Sequence, residues 1–377
     1  MKIILAMCVV LLLAACDKPV NDTKVGSPTG QTGKMVIAPQ FADAGAFSEG
    51  LAPVQIGSRV NGKWGFIDKQ GNVVIEPKFS VAERFTDGLA RVWVKEADTE
   101  KVGFIDKQGK LVIPPRYDHA DWFSEGLASV FVKRGEMLYA GYIDKEGREI
   151  IPLQFGMVAP FSEELACVRI GNSDTEKWGY IDKQGKMVIE PKFVKAESFS
   201  EGLAAVVFED GSGFIDKTGS IIIKRPGELV SNFSEGLASV ISFDPPNSDK
   251  IGYMNKQGVM TIPPRKLATV RPFSNGLAAV SDDPGDEEEI KWGFMNKDGK
   301  MVIPQKYRMS PLSKGFSEGL APVVFGGKWP NWQEGYIDKD GKVVIEPQFN
   351  EARWFSDGMA AVRIGSGDNA KWGYIAR

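Results

Sequence analysis

The stretch that decides the fold is Lys63-Trp64-Gly65-Phe66-Ile67-Asp68-Lys69-Gln70-Gly71-Asn72-Val73-Val74-Ile75-Glu76-Pro77, because the chain repeats it with variations. It returns, for example, as Lys177-Trp178-Gly179-Tyr180-Ile181-Asp182-Lys183-Gln184-Gly185. Self-similarity at a regular period indicates a repeat architecture. The glycine of this phrase recurs at intervals of 34 to 42 residues, at Gly65, Gly103, Gly141, Gly179, Gly213, Gly252, Gly293, Gly335 and Gly373.

A second phrase, which begins with a phenylalanine, follows each copy except the last. Phe85-Thr86-Asp87-Gly88-Leu89-Ala90-Arg91-Val92 is echoed by Phe123-Ser124-Glu125-Gly126-Leu127-Ala128-Ser129-Val130. One phenylalanine per unit predicts a ring that fills the space between successive units, with burial contributing about 2–3 kcal/mol each. Residues present in every copy indicate packing rather than chemistry. These phenylalanines are Phe47, Phe85, Phe123, Phe161, Phe199, Phe233, Phe273, Phe316 and Phe355.

Each repeat is expected to contain a β-hairpin. Two runs of aromatic and β-branched residues, 64–68 and 72–76, surround the turn Lys69-Gln70-Gly71. Asp68 is expected to hydrogen-bond backbone within the turn, and Gly71 to take a positive φ. A third strand is predicted over residues 89–94. The Asp68 position holds asparagine in two other copies, which indicates a turn residue rather than a metal ligand or catalytic acid.

The recurring Trp-Gly-Phe/Tyr-Ile-Asp phrase resembles that of the WG-repeat (KWG-repeat) family. The resemblance covers the chain from about residue 34 to its end. It implies a β-repeat fold and says little about activity. Several copies replace the tryptophan, as Val102, Ala140, Ser212, Ile251 and Glu334.

The two ends of the repeat region complement each other. Residues 33–41 carry a second hairpin strand without its first, and residues 371–375 carry a first strand without its second. Pairing such halves removes exposed sheet edges. We therefore predict an all-β, closed, propeller-like toroid of about nine antiparallel units of three or four strands. An open β-repeat array is the alternative, although such an array would need distinct polar caps at its ends.

Residues 1–15 are interpreted as a signal peptide. Lys2 precedes an apolar stretch over residues 3–13, which is short for a bilayer span, and Leu13-Ala14-Ala15-Cys16 closes it. This ending resembles the lipobox of bacterial lipoproteins, which implies that Cys16 becomes an acylated mature N-terminus. Acyl chains would hold the protein at the membrane. An uncleaved anchor and an ordinary cleaved signal are the alternatives.

Residues 16–33 are interpreted as the lipidated cysteine and a flexible tether, and residues 34–377 as the repeat domain. The tether is polar and lacks aromatic residues, with an expected span of about 23 Å. Asp17 resembles the inner-membrane retention signal of enterobacterial lipoproteins. We expect a lipid-anchored protein facing the periplasm, with the inner membrane favoured and the outer membrane left open.

Composition argues against several classes of protein. The formal net charge of −3 and the scattered lysines provide no basic stripe for nucleic acid. His119 is the only histidine, so no His-rich metal site is expected and no motif points to a triad. The chain lacks glycine patterns that bind phosphate or dinucleotides, so no cofactor is expected. Cys167 is predicted to be a buried or half-buried small residue rather than a nucleophile, because mostly small residues hold its position in the other copies.

Insertions concentrate at one point of each repeat, between the Leu-Ala-x-Val strand and the next Trp-Gly strand. Insertions at one point map to one face, which is often the binding face. We single out an acidic run, Asp282, Asp283, Asp286, Glu287, Glu288 and Glu289, as a solvated loop or a weak site for a cation or basic partner. Trp329 and Trp332 would suit contact with sugar or protein if both are exposed, or would pack onto the ring. The insertions occupy residues 95–101, 133–140, 171–176, 244–249, 281–290 and 325–334.

The sequence favours a non-catalytic, membrane-anchored module that binds an envelope protein or glycan. A hydrolase that uses paired carboxylates at the centre of the ring is one alternative, since the chain has 49 acidic residues. An immunity or accessory protein that neutralises a secreted partner is another. No residue is assigned a catalytic role.

Replacing the lipidated cysteine tests the anchor. Cys16→Ser should release the protein into the soluble envelope fraction, because the tether has no apolar surface of its own. Fractionation of cell envelopes, followed by immunoblotting, measures this release. A Cys8→Ser variant is the matched control and should stay with the membrane. Membrane association of Cys16→Ser after a salt wash would contradict the lipid interpretation.

Overall fold

The computed structural model describes residues 33–96, 99–171, 176–243, 250–283, 285, 290–309, 315–326 and 332–377. The proposed signal peptide and all of the tether before Gly33 lie outside these residues. The described part consists of β-strands and one short 3-10 turn, Gly367–Asn369. Residues 33–377 belong to one compact unit. None of the described segments forms a helix long and apolar enough to cross a membrane.

The described strands form nine separate antiparallel sheets, which we number as blades in chain order. Blade 9 contains the strand nearest the N-terminus, β1 (Met35–Phe41). Blade 1 comprises β2 (Asp43–Ala44), β3 (Ala52–Ile56), β4 (Lys63–Ile67) and β5 (Val73–Phe79). Blade 2 comprises β6 (Val81–Thr86), β7 (Leu89–Glu96), β8 (Thr99–Ile105) and β9 (Leu111–Tyr117). Blade 3 comprises β10 (His119–Ala120), β11 (Ala128–Arg134), β12 (Met137–Ile143) and β13 (Glu149–Phe155).

The next three blades follow the same order of strands. Blade 4 comprises β14 (Met157–Val158), β15 (Ala166–Ile170), β16 (Lys177–Ile181) and β17 (Met187–Phe193). Blade 5 comprises β18 (Lys195–Ala196), β19 (Ala204–Phe208), β20 (Gly211–Ile215) and β21 (Ile221–Pro226). Blade 6 comprises β22 (Glu228–Val230), β23 (Leu237–Ser242), β24 (Lys250–Asn255) and β25 (Met260–Lys266).

The last blades complete the ring. Blade 7 comprises β26 (Thr269–Val270), β27 (Leu277–Ser281), β28 (Trp292–Asn296) and β29 (Met301–Tyr307). Blade 8 has three described strands, β30 (Ala321–Phe325), β31 (Gln333–Ile337) and β32 (Val343–Phe349). Blade 9 joins β33 (Glu351–Ala352), β34 (Met359–Ile364) and β35 (Lys371–Ala376) to β1. The structure is therefore a nine-bladed β-propeller.

The hairpin turn has the predicted chemistry. Asp68 Oδ1 accepts hydrogen bonds from the backbone N–H of Gln70 at 2.9 Å and of Asn72 at 2.8 Å. Gly71 has a φ of 86°, which a residue with a Cβ would adopt only under strain. The turn also packs closely against the preceding blade: a Cβ added to Gly71 would lie 3.2 Å from the Ile37 side chain.

Aromatic rings join each blade to the next, which confirms the predicted role of the repeated phenylalanine. The aromatic residue after the repeat glycine packs against the phenylalanine of the following blade, as Phe66 does against Phe85 at a centroid distance of 5.0 Å. These rings are fully buried. The other pairs are Phe104–Phe123, Tyr142–Phe161, Tyr180–Phe199, Phe214–Phe233, Tyr253–Phe273, Phe294–Phe316, Tyr336–Phe355 and Tyr374–Phe47.

The predicted closure of the ring is confirmed. Strand β1 pairs antiparallel with β35, with Met35 opposite Ile375 and Phe41 opposite Trp372. Gly33 N–H donates to the Ala376 carbonyl at 2.7 Å, so the pairing extends beyond the strands. The open array is therefore wrong, because both ends of the repeat region share blade 9.

The alternation of strand direction sorts the connections onto two faces. The links from first to second strand and the hairpin turns lie on one face, which we call the clamp face. The links from second to third strand lie on the other, which we call the insertion face, together with the links between blades. The predicted gathering of the insertions at one face follows from this topology.

The Phe-Ser links on the clamp face surround the axis of the ring. Ser48 Oγ donates to the Phe85 carbonyl of the next blade at 2.7 Å, and Ser356 Oγ donates to the Phe47 carbonyl at 2.7 Å across the closure. Equivalent points of neighbouring blades lie nearest one another close to the axis, so these linked segments form the inner rim. The same bond recurs from Ser124, Ser162, Ser200, Ser234, Ser274 and Ser317.

Deleting residues 371–377 should open the ring. The deletion removes β35 from between β1 and β34, exposes two strand edges and breaks the Tyr374–Phe47 contact. Several kcal/mol of a fold that is about 5–15 kcal/mol stable should be lost, and the new edges should cause association. Thermal denaturation and sedimentation velocity measure both effects. Deletion of residues 17–31 is the control and should leave the melting temperature unchanged. A monomeric truncated chain that melts like the full chain would contradict closure.

Candidate functional site

The insertion face holds the first group of predicted site residues. Asp282 and Asp283 are described, whereas Asp286, Glu287, Glu288 and Glu289 lie outside the described residues. Asp282 donates its backbone N–H to Gln305 Oε1 at 3.2 Å, and Asp283 Oδ1 accepts the Gly285 N–H at 2.9 Å. These bonds organise the start of the loop and leave the Asp282 side chain exposed.

Trp332 is not exposed, so its side chain does not offer a surface for contact with sugar or protein. Its side chain is 7% exposed, and its Nε1 donates to the Asn350 carbonyl at 3.2 Å. The Arg308 guanidinium stacks 5.5 Å from the centre of its ring. Trp332 therefore packs onto the ring, as the alternative interpretation expected, and fixes the end of its loop. Trp329 lies outside the described residues.

The lone histidine, His119, does not make the contacts that a catalytic triad requires. Asp121 lies between the two other groups, since its Oδ2 accepts a hydrogen bond from Ser129 Oγ and its Oδ1 lies 3.7 Å from His119 Nε2. A triad needs the histidine to contact the nucleophile directly. Ser129 is also fully buried. Within the described residues no cluster of three or more His, Cys, Asp or Glu side chains is placed to hold a metal ion.

Cys167 is buried, as predicted. Its side chain is 1% exposed, and its Sγ lies 3.7 Å from the Ala196 carbonyl oxygen of blade 5. The residue at this position therefore faces the adjoining blade, as Arg91 does in blade 2, where its Nη1 donates to the Ala120 carbonyl of blade 3.

The clamp face carries a charged network that the sequence analysis missed. In each blade the residue after the serine position, usually acidic, has a positive φ, as at Glu49 with 53°. Glu49 Oε1 accepts the Gly88 N–H of blade 2 at 3.2 Å, and Lys107 Nζ of that blade lies 3.0 Å from Glu49 Oε2. The same carboxylate-to-glycine bond joins Asp357 to Gly50, Glu163 to Gly202, Glu201 to Gly236, Glu235 to Gly276 and Glu318 to Gly358.

The inner rim differs in chemistry from blade to blade. The residue immediately before the repeated phenylalanine varies in size, charge and polarity. Because its neighbour lies in a linked segment near the axis, this position presents a different surface from each blade. The residues are Ala46, Arg84, Trp122, Pro160, Ser198, Asn232, Pro272, Gly315 and Trp354.

The repeated sequence itself decides the family. The motif described as "WG containing repeat" matches residues 30–59, 64–92, 103–133, 141–173, 178–211, 213–241, 251–283, 292–329 and 335–367. The chain belongs to the WG-repeat family. The nine matches are offset from the nine blades, because a match such as 64–92 contains the last two strands of blade 1 and the first two strands of blade 2. No curated protein matches the sequence.

One of the similar solved structures supports the architecture of this WG-repeat propeller. A eukaryotic initiation factor is similar over 89% of this chain and 91% of its own, with 14% identity and a TM-score of 0.56, which supports the fold alone. An acylaminoacyl peptidase from Pyrococcus horikoshii has 12% identity and a TM-score of 0.42 over 90% of this chain and 57% of its own. Prolyl oligopeptidase B from Galerina marginata has 11% identity and a TM-score of 0.44 over 88% and 53%. This chain thus spans little more than half of each peptidase.

Glu334 is the most unusual ionisable residue described in this WG-repeat chain. It replaces the repeat tryptophan in blade 8 and is 0% exposed. Its Oε2 accepts the Ala352 N–H of blade 9 at 2.8 Å, whereas Oε1 has no hydrogen-bond partner. Burial raises the pKa of Glu334 to about 8, with the nearby Glu351 carboxylate adding to this rise, while the Ala352 N–H and the Arg363 guanidinium oppose it. The carboxyl group is therefore largely protonated at neutral pH.

Glu334→Gln should change how stability depends on pH. The unfolded carboxyl loses its proton near pH 4.5 and the folded one near pH 8, so the folded state binds more protons in that window. Wild-type stability should fall relative to the variant as pH rises from about 5 to 8, by a few kcal/mol, and then level off. Thermal denaturation at pH 5 to 9 measures the difference.

Glutamine suits this comparison because it keeps the size of the side chain and an acceptor for the Ala352 N–H. Glu346→Gln, an exposed position on the outer strand of the same blade, is the control and should follow the wild-type curve. Parallel wild-type and Glu334→Gln curves across the whole range would contradict the raised pKa.

Proposed function

We propose that this WG-repeat propeller is a non-catalytic binding or scaffold module, held at the cell membrane by lipidated Cys16, with an envelope protein or glycan as its partner. The observation that carries the proposal is that recurring and variable polar residues make different contacts. The polar residues that recur from blade to blade bind the adjoining blade or their own hairpin turn, and the insertion face and the inner rim carry residues that differ. Asp17 favours the inner membrane as the site of the anchor.

The recurring polar groups have little capacity left for a ligand. The serine hydroxyls bond the next blade, as Ser124 does to the Phe161 carbonyl at 2.7 Å. The tyrosine hydroxyls do the same, as in the bond of 2.9 Å from Tyr374 to the Gly45 carbonyl. A binding surface therefore has to use the positions at which the blades differ, which suits a module that recognises one particular partner.

The carboxylates near the inner rim favour binding over hydrolysis. Glu83 is paired with Arg91, and the Asp43 carboxylate lies 3.0 Å from Arg353 Nη2 in blade 9. A general acid needs a raised pKa and access to substrate. Glu334 has the raised pKa but is completely buried. These ion pairs make the hydrolase the weaker alternative. An immunity or accessory protein would use the insertion face and the inner rim to bind a secreted partner.

The place at which the described chain begins suits this arrangement. Gly33 joins the body beside Ala376, at the clamp-face end of β35. The chain therefore enters the propeller opposite the insertions. An anchored protein would keep its insertion face free of the point of attachment, so that the face remains available to a partner.

Shortening the four longer connections, residues 172–175, 244–249, 284–289 and 327–331, to two-residue turns tests the proposed face. The insertions of blades 2 and 3 are kept, because their strands pair as far as Glu96–Thr99 and Arg134–Met137. The variant should lose capture of its envelope partner in a pull-down from membrane extracts, with quantitative mass spectrometry as the readout. Its melting temperature should stay close to that of the wild type, because the bonds between blades on the clamp face are untouched.

The matched control is Gln70→Ala, on the clamp face. Gln70 is exposed, and its bond to Asp68 comes from the backbone, so the substitution should leave both capture and fold unchanged. Capture by the shortened variant at the wild-type level would refute the assignment to the insertion face and move the site to the inner rim.

A further inference from the structure

One blade differs from the other eight at its outer edge. The fourth strand of every other blade contains an internal proline and two shifts of register, as at Pro77 in β5. In blade 5 the only proline of β21 is its last residue, Pro226, and the strand has a single shift. The sequence Glu-Pro-Lys found at residues 76–78 is here Lys224-Arg225-Pro226. This strand therefore forms a regular ladder where the others bulge.

A regular edge matters because prolines and bulges are how native sheets prevent further pairing. Ile223, Lys224 and Arg225 lie directly opposite Phe214, Gly213 and Ser212 of β20. Strand β21 ends the order of strands in its sheet, so its outer side is not paired with any strand among the described residues. The backbone N–H and C=O groups on that side form a template for another strand.

An apolar surface adjoins this edge. Ile221 is 51% exposed and Ile222 is 49% exposed. Val259, in the hairpin turn of blade 6, is 58% exposed. It follows Gly258, where an added Cβ would lie 3.5 Å from the Ile223 side chain. The position of Val259 is polar in the turns of the other blades, with Asn72, Lys110, Arg148, Lys186, Ser220, Lys300 and Lys342.

The charges beside the edge are already neutralised. Lys224 Nζ lies 2.8 Å from Asp210 Oδ2, and Arg225 Nη1 lies 3.6 Å from Glu228 Oε2. Arg225 Nη2 also donates to the Gly258 carbonyl at 2.8 Å. A strand that docks here therefore meets an apolar surface with no net charge to match.

We propose that the outer edge of blade 5 accepts an extended, predominantly apolar segment of another polypeptide as a fifth strand. Main-chain hydrogen bonds would supply affinity, and the surface formed by Ile221, Ile222 and Val259 would select its side chains. A second copy of this chain fits less well. The regular edge is only a few residues long and the flanking blades are kinked, so a pair of edges falls far short of the roughly 800 Å² per partner of a stable interface.

The test grafts the protected sequence onto this edge. Lys224→Glu, Arg225→Pro and Pro226→Lys together recreate Glu-Pro-Lys as it stands in blades 1 and 4, so the fold should tolerate them. Val259→Lys with Ile222→Thr is a second variant that removes the apolar surface and leaves the edge intact. The probe is a library of random twelve-residue peptides displayed on phage and selected on the full chain in detergent.

Selected peptides should be predominantly apolar and rich in β-branched or aromatic residues, and should bind each variant at least tenfold more weakly than the wild type in fluorescence anisotropy. Hydrogen exchange at residues 222–225 should slow when the peptide binds. Gln70→Ala should bind like the wild type. Selection that yields no peptide able to distinguish wild type from either variant overturns the proposal. So does a dimer in sedimentation velocity that the graft abolishes, because the occupant would then be a second copy.

This edge is separate from the insertion face, so the two proposals fail independently. Loss of peptide binding would leave capture through the insertions untouched, and loss of that capture would leave the peptide result standing.

Discussion

The contact on which the rest of the structure depends is the packing of one aromatic ring against the phenylalanine of the next blade. Each blade is a small sheet, too small to bury its own apolar face, and this contact supplies the missing half of the core. Phe66 against Phe85 is one instance of nine, and Tyr374 against Phe47 is the one that joins the ends. A ring is the arrangement in which every blade has both neighbours, so closure follows from the needs of each unit.

Much of this fold could be predicted from sequence because the signals were local or repeated. The hairpin around Lys69-Gln70-Gly71 was visible as a pattern along the chain. So was the division of blade 9 between the two ends of the repeat region. The role of the phenylalanine was also predictable, since a large apolar residue that recurs once per unit has few other uses. The number of units came directly from the count of glycines, which the nine sheets reproduce.

The features that could not be predicted depend on distances between residues of different repeats, which a sequence pattern does not contain. Glu49 and Lys107 belong to different repeats, and only the geometry of the ring brings their charges to 3.0 Å. Their recurrence in nearly every copy was visible, but nothing in the sequence distinguished paired charges from solvated ones. The burial of Trp332 depends on the Asn350 carbonyl of a later connection. Much of the predicted acidic site and Trp329 lie outside the described residues.

The left-handed backbone at the clamp face makes the junctions between blades chemically unequal. A glutamate in that conformation is strained by roughly 1–2 kcal/mol, whereas asparagine adopts it more readily. Blade 7 has Asn275 there, which donates from Nδ2 to the Phe316 carbonyl at 3.3 Å in place of an ion pair. Dissolved ions screen the partly exposed ion pairs of six other junctions but leave this neutral bond almost unaffected. Those pairs are made by Glu49, Asp87, Glu125, Glu163, Glu201 and Glu235. The order of strength among the junctions therefore changes with the ionic strength of the medium, and the junction made by Asn275 gains relative to those six as salt rises.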